Sequence, residues 1–124
     1  MKISGEFMDK TPIAAASFYK QAYSFNGAFD GLPPDIKDEI KILCVSLAQK
    51  LHGVFTLGFY ADGGLYFEAF GEAADYNFDE IGAKLETDQL AAEKKDLIKA
   101  LRLWYAVFQT EEGEKIRRAY EMNR

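Results

Sequence analysis

The clearest hydrophobic pattern in the chain lies between Pro33 and Gly53, where apolar residues recur at the spacing of an α-helix. Pro33 and Pro34 suit the start of a helix, because proline has its φ preset for the first turn and lacks only an amide that would be unpaired there. The apolar stripe consists of Ile36, Ile40, Leu43, Leu47 and Leu51. Ile42 and Val45 widen this face, so we expect the helix to be covered on two sides and to end at Gly53.

A β-hairpin is predicted directly after this helix, and its register depends on the loop near Asp62. A two-residue turn beginning at Asp62 would place the carboxylate of Glu68 on the same face as Phe59, where an unpaired charge would be costly to bury. A three-residue loop over residues 62–64, with a glycine available for a left-handed bulge, instead pairs Phe59 with Phe67. We therefore predict the three-residue loop.

This register turns one set of hairpin side chains away from the helices and places Tyr60 opposite Tyr66. The set consists of Val54, Thr56, Tyr60, Tyr66, Glu68 and Phe70. So many aromatic residues are unusual on a surface that is simply left in water, so we expect a partner to cover this face.

The chain before the first helix carries weaker signals. Residues 1–17 have no clear period and mix Gly5 and Pro12 with charged residues, which indicates a poorly ordered arm. The aromatic-rich run from Phe18 to Phe25 predicts a strand whose one face carries Tyr19, Gln21, Tyr23 and Phe25. A short helix that aligns Tyr19 with Tyr23 is the alternative.

Helices are predicted again after an acidic connection. A short helix from about Phe78 to Leu85 precedes a long one from about Asp88 to Gln109, with a break near Glu86-Thr87 where Thr87 can act as a cap. The stripe of the long helix consists of Leu90, Leu97, Leu101, Trp104 and Phe108. Gly113 is expected to interrupt the pattern before a final short helix that contains Ile116 and Tyr120.

These elements predict an α+β fold in the order β-α-β-β-α, followed by a short C-terminal helix. The strand near Tyr19 to Phe25 and the hairpin form a small antiparallel sheet, and the two long helices pack on one of its faces. A hairpin alone is marginally stable in water, which favours placing the first strand in the sheet. Residues 18–124 would form a single domain behind the arm of residues 1–17, as suits a chain of 124 residues.

Composition and charge narrow the possible partners and location. Apolar residues make up 48% of the chain and the formal net charge is −5, so we expect a globular protein that binds neither nucleic acid nor membranes. Cys44 is the single cysteine, which fits a reducing compartment. No stretch approaches the length of a membrane span and no signal-peptide core precedes the domain, so we predict a cytoplasmic protein.

Groups that could carry chemistry are few. His52 and Cys44 are about 12 Å apart along one helix, too far for a nucleophile and its base. The residues Asp75, Asn77 and Asp79 occupy calcium-loop positions, with Glu86 at the twelfth, but Glu80 stands where such a loop needs glycine.

Other readings of these groups are simpler. Asp75 or Asn77 is expected to cap the short helix, and Glu68 and Glu72 to form a solvated rim. The aromatic group around Trp104 is expected to belong to the core rather than to a ligand cavity. We therefore predict no catalytic residue, cofactor or metal ligand, and favour a role other than catalysis.

Several segments together resemble a family of unknown function that consists of small proteins from anaerobic Gram-positive bacteria. The matching segments are Tyr19–Asn26, Leu32-Pro33, Ile36–Val45, Gly53–Leu57, Asp75-Tyr76, Phe78–Gly82 and Tyr105–Phe108. Proteins of this kind usually carry an acidic residue at the position of Gly58, so the outer strand surface is expected to differ here. The resemblance implies no activity, substrate or functional residue.

The leading functional hypothesis is a protein-interaction or assembly module that associates with itself as a homodimer. The interface candidates are Val54, Tyr60, Tyr66 and Phe70 on the hairpin, and Ile42 and Val45 on the first helix. The alternative is a small-molecule-binding protein or enzyme whose pocket lies between the sheet and the helices and is lined by tyrosines and carboxylates.

Overall fold

The structure is a computed structural model that describes residues 9–122. It confirms the α+β class: one four-stranded antiparallel sheet is combined with helices along the described chain. The strands are β1 (Lys10–Ser17), β2 (Ala22–Phe25), β3 (Val54–Tyr60) and β4 (Leu65–Phe70). The helices are α1 (Pro34–Leu51), α2 (Glu80–Glu93), α3 (Lys95–Phe108) and α4 (Glu111–Met122), and a single 3-10 turn spans Gly27–Phe29.

The expected N-terminal arm is wrong for residues 10–17, which form the interior strand β1. The strand order is β2-β1-β3-β4, so β1 pairs with both β2 and β3. Its alanines have low strand propensity, but Ala14 and Ala16 are buried where the sheet meets the helices. Pro12 is tolerated because the register shifts between Pro12 and Ala14. Residues 1–8, the rest of the expected arm, lie outside the described residues.

The strand predicted before the first helix is confirmed in its second half. Ala22–Phe25 forms β2, and Tyr23 and Phe25 share the face toward the core. Tyr19 lies instead in the turn that joins β1 to β2, and Gln21 in the same turn has a φ of 49°. Because the backbone at Gln21 is left-handed, Tyr19 and Gln21 do not continue the strand face that carries Tyr23 and Phe25.

The hairpin has the predicted kind of loop, placed one residue earlier. The Tyr60 carbonyl accepts from the Gly63 amide, the Tyr60 amide donates to the Gly64 carbonyl, and Gly63 has a φ of 87°. The loop is therefore 61–63, and Phe59 pairs with Leu65 rather than with Phe67. A Cβ on Gly63 would lie 2.7 Å from the Tyr105 ring, so packing as well as φ requires glycine here.

The shift by two residues leaves the predicted faces unchanged, because side chains alternate with a period of two. Tyr60 is not opposite Tyr66, however, since Tyr66 pairs with Gly58. The predicted Tyr60–Tyr66 pair is therefore wrong as a register, although both rings remain on one face.

Helix α1 begins where it was predicted to begin, but its C-terminal end and the residues that cover it differ from the prediction. His52, rather than Gly53, takes the left-handed conformation after the helix, with a φ of 52°. Ile42 is 67% exposed and Val45 is also exposed, so the described residues cover α1 on one side only. The expected two-sided cover is therefore wrong within residues 9–122.

The break between the later helices falls at Lys94 and not near Thr87. Thr87 lies inside α2, where it is buried and its hydroxyl donates to the Lys84 carbonyl. Gly113 lies inside α4 rather than interrupting it. A Cβ at this position would collide with the carbonyl oxygens of Ala106 and Val107 in α3. The glycine thus lets α4 pack closely against α3.

The core lies between one face of the sheet and the helices. Phe55, Leu57 and Phe59 of β3 are completely or almost completely buried. The helices contribute Ile40, Leu43, Cys44, Ala48, Leu90, Leu97 and Leu101 to the same cluster. None of the described helices is both long enough and apolar enough to cross a membrane.

Candidate functional site

The sheet face opposite the core is not covered by any described helix. Strand pairing assigns to it the alternate residues Lys10, Pro12, Ala15, Ser17, Ala22, Ser24, Val54, Thr56, Gly58, Tyr60, Tyr66, Glu68 and Phe70. We call this set the open face. A shallow hollow of about 220 Å³ lies over its small residues, between Ala15, Ser24 and Val54. The β1–β2 half of the open face is therefore made mainly of short side chains.

Lys10 and Glu68 are the charged residues of the open face, and they bond to each other. The Nζ of Lys10 lies 3.2 Å from Glu68 Oε2. The same Nζ lies 5.9 Å and 5.3 Å from the ring centroids of Tyr60 and Tyr66, which are themselves 5.5 Å apart. A lysine in such a position is attracted by the ring faces as well as by the carboxylate. Both charges are thus already engaged within the chain.

Gly58 makes room for the Tyr66 ring. A Cβ on Gly58 would lie 2.5 Å from the Tyr66 hydroxyl oxygen and would also collide with the Thr11 carbonyl oxygen. Tyr66 is consequently only 7% exposed. Burial raises the pKa of its hydroxyl, and the neighbouring Glu68 and Tyr60 raise that pKa further.

The sequence candidates for an interface fall on two separate surfaces. Val54, Tyr60, Tyr66 and Phe70 are together on the open face, where Phe70 is the most exposed at 50%. Ile42 and Val45 are exposed on α1, Ile42 at 67%, and Val45 lines a small hollow between α1 and β2. Reasoning from sequence missed Lys10 and the small residues of β1, because these were assigned to an arm.

A groove of about 660 Å³ runs between β4 and α2. Its strand side is lined by Tyr60 and residues 65–71, and its helix side by Glu80, Lys84, Thr87, Asp88 and Ala91. Each of these helix residues lies three or four positions from another, so they share one face of α2. The position of this groove beside β4 was not predicted, because the sequence does not show which strand ends the sheet.

The segment that resembles a calcium loop is occupied by internal hydrogen bonds. The Tyr19 hydroxyl donates to Asp75 over 2.6 Å, and the same carboxylate accepts from the Asn77 amide. This hydrogen bond to the carboxylate raises the pKa of the Tyr19 hydroxyl. Asp79, and not Asp75 or Asn77, caps α2 by accepting from the Gly82 amide. Among residues 9–122, no group of three or more potential metal ligands is suitably placed.

The two residues most often used as nucleophile and base lie apart, as their spacing along α1 predicted. Cys44 is completely buried, and burial raises the pKa of its thiol to about 12. His52 is exposed at the end of α1, where its ring packs on Phe18 at 4.6 Å. Trp104 contacts Phe29 from the helix layer, consistent with its assignment to the core.

Comparison with known proteins identifies the family. A model described as a family of unknown function (DUF6145) matches residues 10–113. The chain belongs to this family. The match includes the whole sheet and ends just inside α4. No curated protein and no solved structure shows a significant match to this DUF6145 chain. The expected resemblance to a family of unknown function is thereby confirmed.

Proposed function

We propose that this DUF6145 domain is a protein-interaction module that associates with itself through the open face. The supporting observation is that the described part of that face carries no charged side chain without an ion-pair partner. Charged residues make up 28% of the chain, yet the open face carries only Lys10 and Glu68, which form an ion pair. A face that stays in water would normally carry more charge than this.

The shape of the open face suits a second copy of the same chain. Two sheets pack face to face at a separation of about 10 Å, and short side chains such as those of Ala15 and Ser24 allow close approach. Val54 and Phe70 would supply apolar area, whereas Tyr66 is already covered within its own chain. A two-fold axis is the commonest arrangement in such homodimers.

The first experiment compares the oligomeric state of two charge variants by light scattering and sedimentation. Val54→Lys combined with Ser24→Lys places like charges on both copies of the open face, so the wild-type dimer should become a monomer. Ala92→Lys combined with Leu103→Lys adds the same charge at exposed helix positions and should leave the dimer intact. A wild-type protein that is monomeric at millimolar concentration would contradict self-association.

A third variant locates the interface if the first pair does not. Ile42→Lys alters the exposed side of α1 without touching the sheet. If the open-face variant stays dimeric and Ile42→Lys is monomeric, the copies meet through α1 and the open face is the wrong surface.

The alternative function, a small-molecule pocket between the sheet and the helices, has less support. One hollow there is the groove beside β4, which has Tyr60, Tyr66 and carboxylates on its rim but is open to solvent. Another, between β2 and α1, has a volume of only about 130 Å³ and no carboxylate in its lining. The apolar side chains between sheet and helices pack on one another. We further propose a bacterial, cytoplasmic location, which the motif resemblance and the buried free thiol of Cys44 support.

A further inference from the structure

Strand β4 is an edge strand with outward-facing backbone groups. The hydrogen bond from the Tyr60 amide to the Gly64 carbonyl sets the alternation of the β3–β4 ladder. Tyr66, Glu68 and Phe70 therefore bond to β3, while the N–H and C=O groups of Leu65, Phe67 and Ala69 point to the free edge. None of the described residues bonds to these outward groups.

Edge strands are usually protected against pairing with other chains, and β4 has little of that protection. It contains no lysine, proline or bulge, the common devices that prevent such pairing. The other edge strand, β2, is shorter, at four residues against six. The groove between β4 and α2 lies along the outward edge of β4. A further strand could therefore pair with β4 and contact α2 at the same time.

The groove has an apolar floor and an acidic rim. Phe67 and Ala91 present carbon atoms to the groove. The hydroxyl of Thr87 already donates to the Lys84 carbonyl within α2. The charged lining residues are Glu68, Glu80, Lys84 and Asp88. Lys84 lies 2.6 Å from Asp88 and Lys10 lies 3.2 Å from Glu68, so these charges are paired, whereas Glu80 forms no ion pair with any described residue. The rim therefore favours positively charged ligands.

We propose that the β4–α2 groove binds an extended segment of another protein in which apolar residues alternate with lysine or arginine. The segment adds a fifth strand by bonding to the outward groups of Leu65, Phe67 and Ala69. Its apolar side chains face Thr87 and Ala91, and its cations lie near the rim carboxylates. A second copy that pairs through its own β4 fits less well, because that strand brings Glu68 and no cation to the acidic rim.

The binding test uses two synthetic peptides with the full-length protein. One fluorescein-labelled peptide alternates valine and lysine over six positions between Gly-Ser ends, and the other replaces each lysine with glutamate. Fluorescence anisotropy should show the lysine peptide binding at least about tenfold more tightly at low salt, since like charges at the rim oppose the glutamate peptide. Equal or tighter binding of the glutamate peptide, or no saturable binding of either, would overturn the proposal.

A matched pair of variants locates the binding site on α2. Ala91→Arg places a long cation across the groove and should weaken binding of the lysine peptide by about tenfold or more. Ala92→Arg adds the same side chain one position along, where the helix is exposed and does not line the groove. Both substitutions keep a good helix former in α2. Equal loss in both variants would mean that the peptide responds to overall charge, and would contradict the assignment to the groove.

Amide hydrogen exchange tests the backbone pairing itself. Adding the lysine peptide should slow exchange at Leu65, Phe67 and Ala69, while Tyr66 and Glu68 are protected already in the free protein. Protection elsewhere would place the peptide on another surface. Protection of these three amides that grows with protein concentration alone would instead identify a second copy as the occupant.

The two proposals can fail separately. The open-face variant Val54→Lys with Ser24→Lys changes no residue that lines the groove. It should therefore lose self-association and still bind the lysine peptide. If this variant keeps its fold but no longer binds the peptide, the groove forms only in the dimer. That result would contradict the proposal that the groove of a single chain binds the peptide.

Discussion

At the scale of single residues, the absence of a side chain at Gly58 shapes the open face. The Tyr66 ring lies over Gly58 and is held between Tyr60 and Lys10 on the same surface. A side chain at position 58 would displace the Tyr66 ring, so the covering of Tyr66 depends on the glycine. The uncharged character of the face depends partly on this one position.

Replacing Gly58 tests how tightly this part of the sheet is packed. Gly58→Ala should lower the free energy of unfolding by about 1–3 kcal/mol, because the new methyl group collides with Tyr66 and with the Thr11 carbonyl. Urea denaturation followed by circular dichroism measures the change. Gly27→Ala is the matched control, since its Cβ would meet only Asp30 at 3.7 Å. An equal effect of both variants would contradict the packing argument.

Cys44 should behave as an inert core residue whose titration affects stability at high pH. Its thiol has a pKa near 12 in the folded protein against an ordinary 9.0, so the folded state holds this proton more tightly. That contribution to stability is complete below about pH 9 and is lost as the pH rises toward 12. Cys44→Ala should cost on the order of 1 kcal/mol near neutral pH and make the decline at high pH less steep. A polar alkylating reagent that labels the native thiol rapidly would contradict this prediction.

At the scale of elements, the wall of the β4–α2 groove depends on how α2 begins. Asp79→Ala removes the side chain that accepts from the Gly82 amide, and should cost about 0.5–2 kcal/mol of stability. Asn77→Ala is the control, because the Asn77 contact in this loop is made by its backbone amide. Thermal unfolding distinguishes the two substitutions. If Asn77→Ala destabilises the protein as much as Asp79→Ala, the cap is not where the structure places it.

Local signals were sufficient to predict some elements from the sequence. The start of α1 follows from proline geometry at Pro33 and Pro34, and the apolar period defines its buried stripe. The hairpin faces were also predicted correctly, because a register error of two residues preserves them. The register itself was wrong, since nothing local shows that Gly63 rather than Gly64 adopts the left-handed bulge conformation. That choice depends on Tyr105, which approaches from α3.

Long-range contacts explain the elements that could not be predicted. Strand β1 consists mainly of alanine and polar residues, and it forms because two neighbours pair with it and α1 covers it. Without β1 in the interior of the sheet, the strand order and the free edge of β4 could not be inferred. The groove was therefore beyond a reading of local patterns, whereas the hairpin part of the open face could be anticipated from the hairpin alone.

At the scale of the whole molecule, α4 is attached to α3 and adds little to the main core. Gly113 is its buried residue, while Ile116 and Met122 are exposed. Its described bonds to α3 include that from Arg117 Nε to the Val107 carbonyl, and the Arg117 guanidinium also lies over Phe108. The sheet and its helix layer should therefore fold cooperatively without it.

Removing residues 111–124 tests this division of the molecule. The shortened protein should keep one cooperative unfolding transition and lose about 1–3 kcal/mol, because mainly Val107 and Phe108 become more exposed. Gly113→Leu in the full-length chain should have a similar effect, since its side chain would push α4 away from the Ala106 and Val107 carbonyls. In the intact protein, α4 amides should exchange faster than those of β3. A broad, non-cooperative transition after truncation would instead show that α4 is part of the cooperative core, despite its exposed apolar residues.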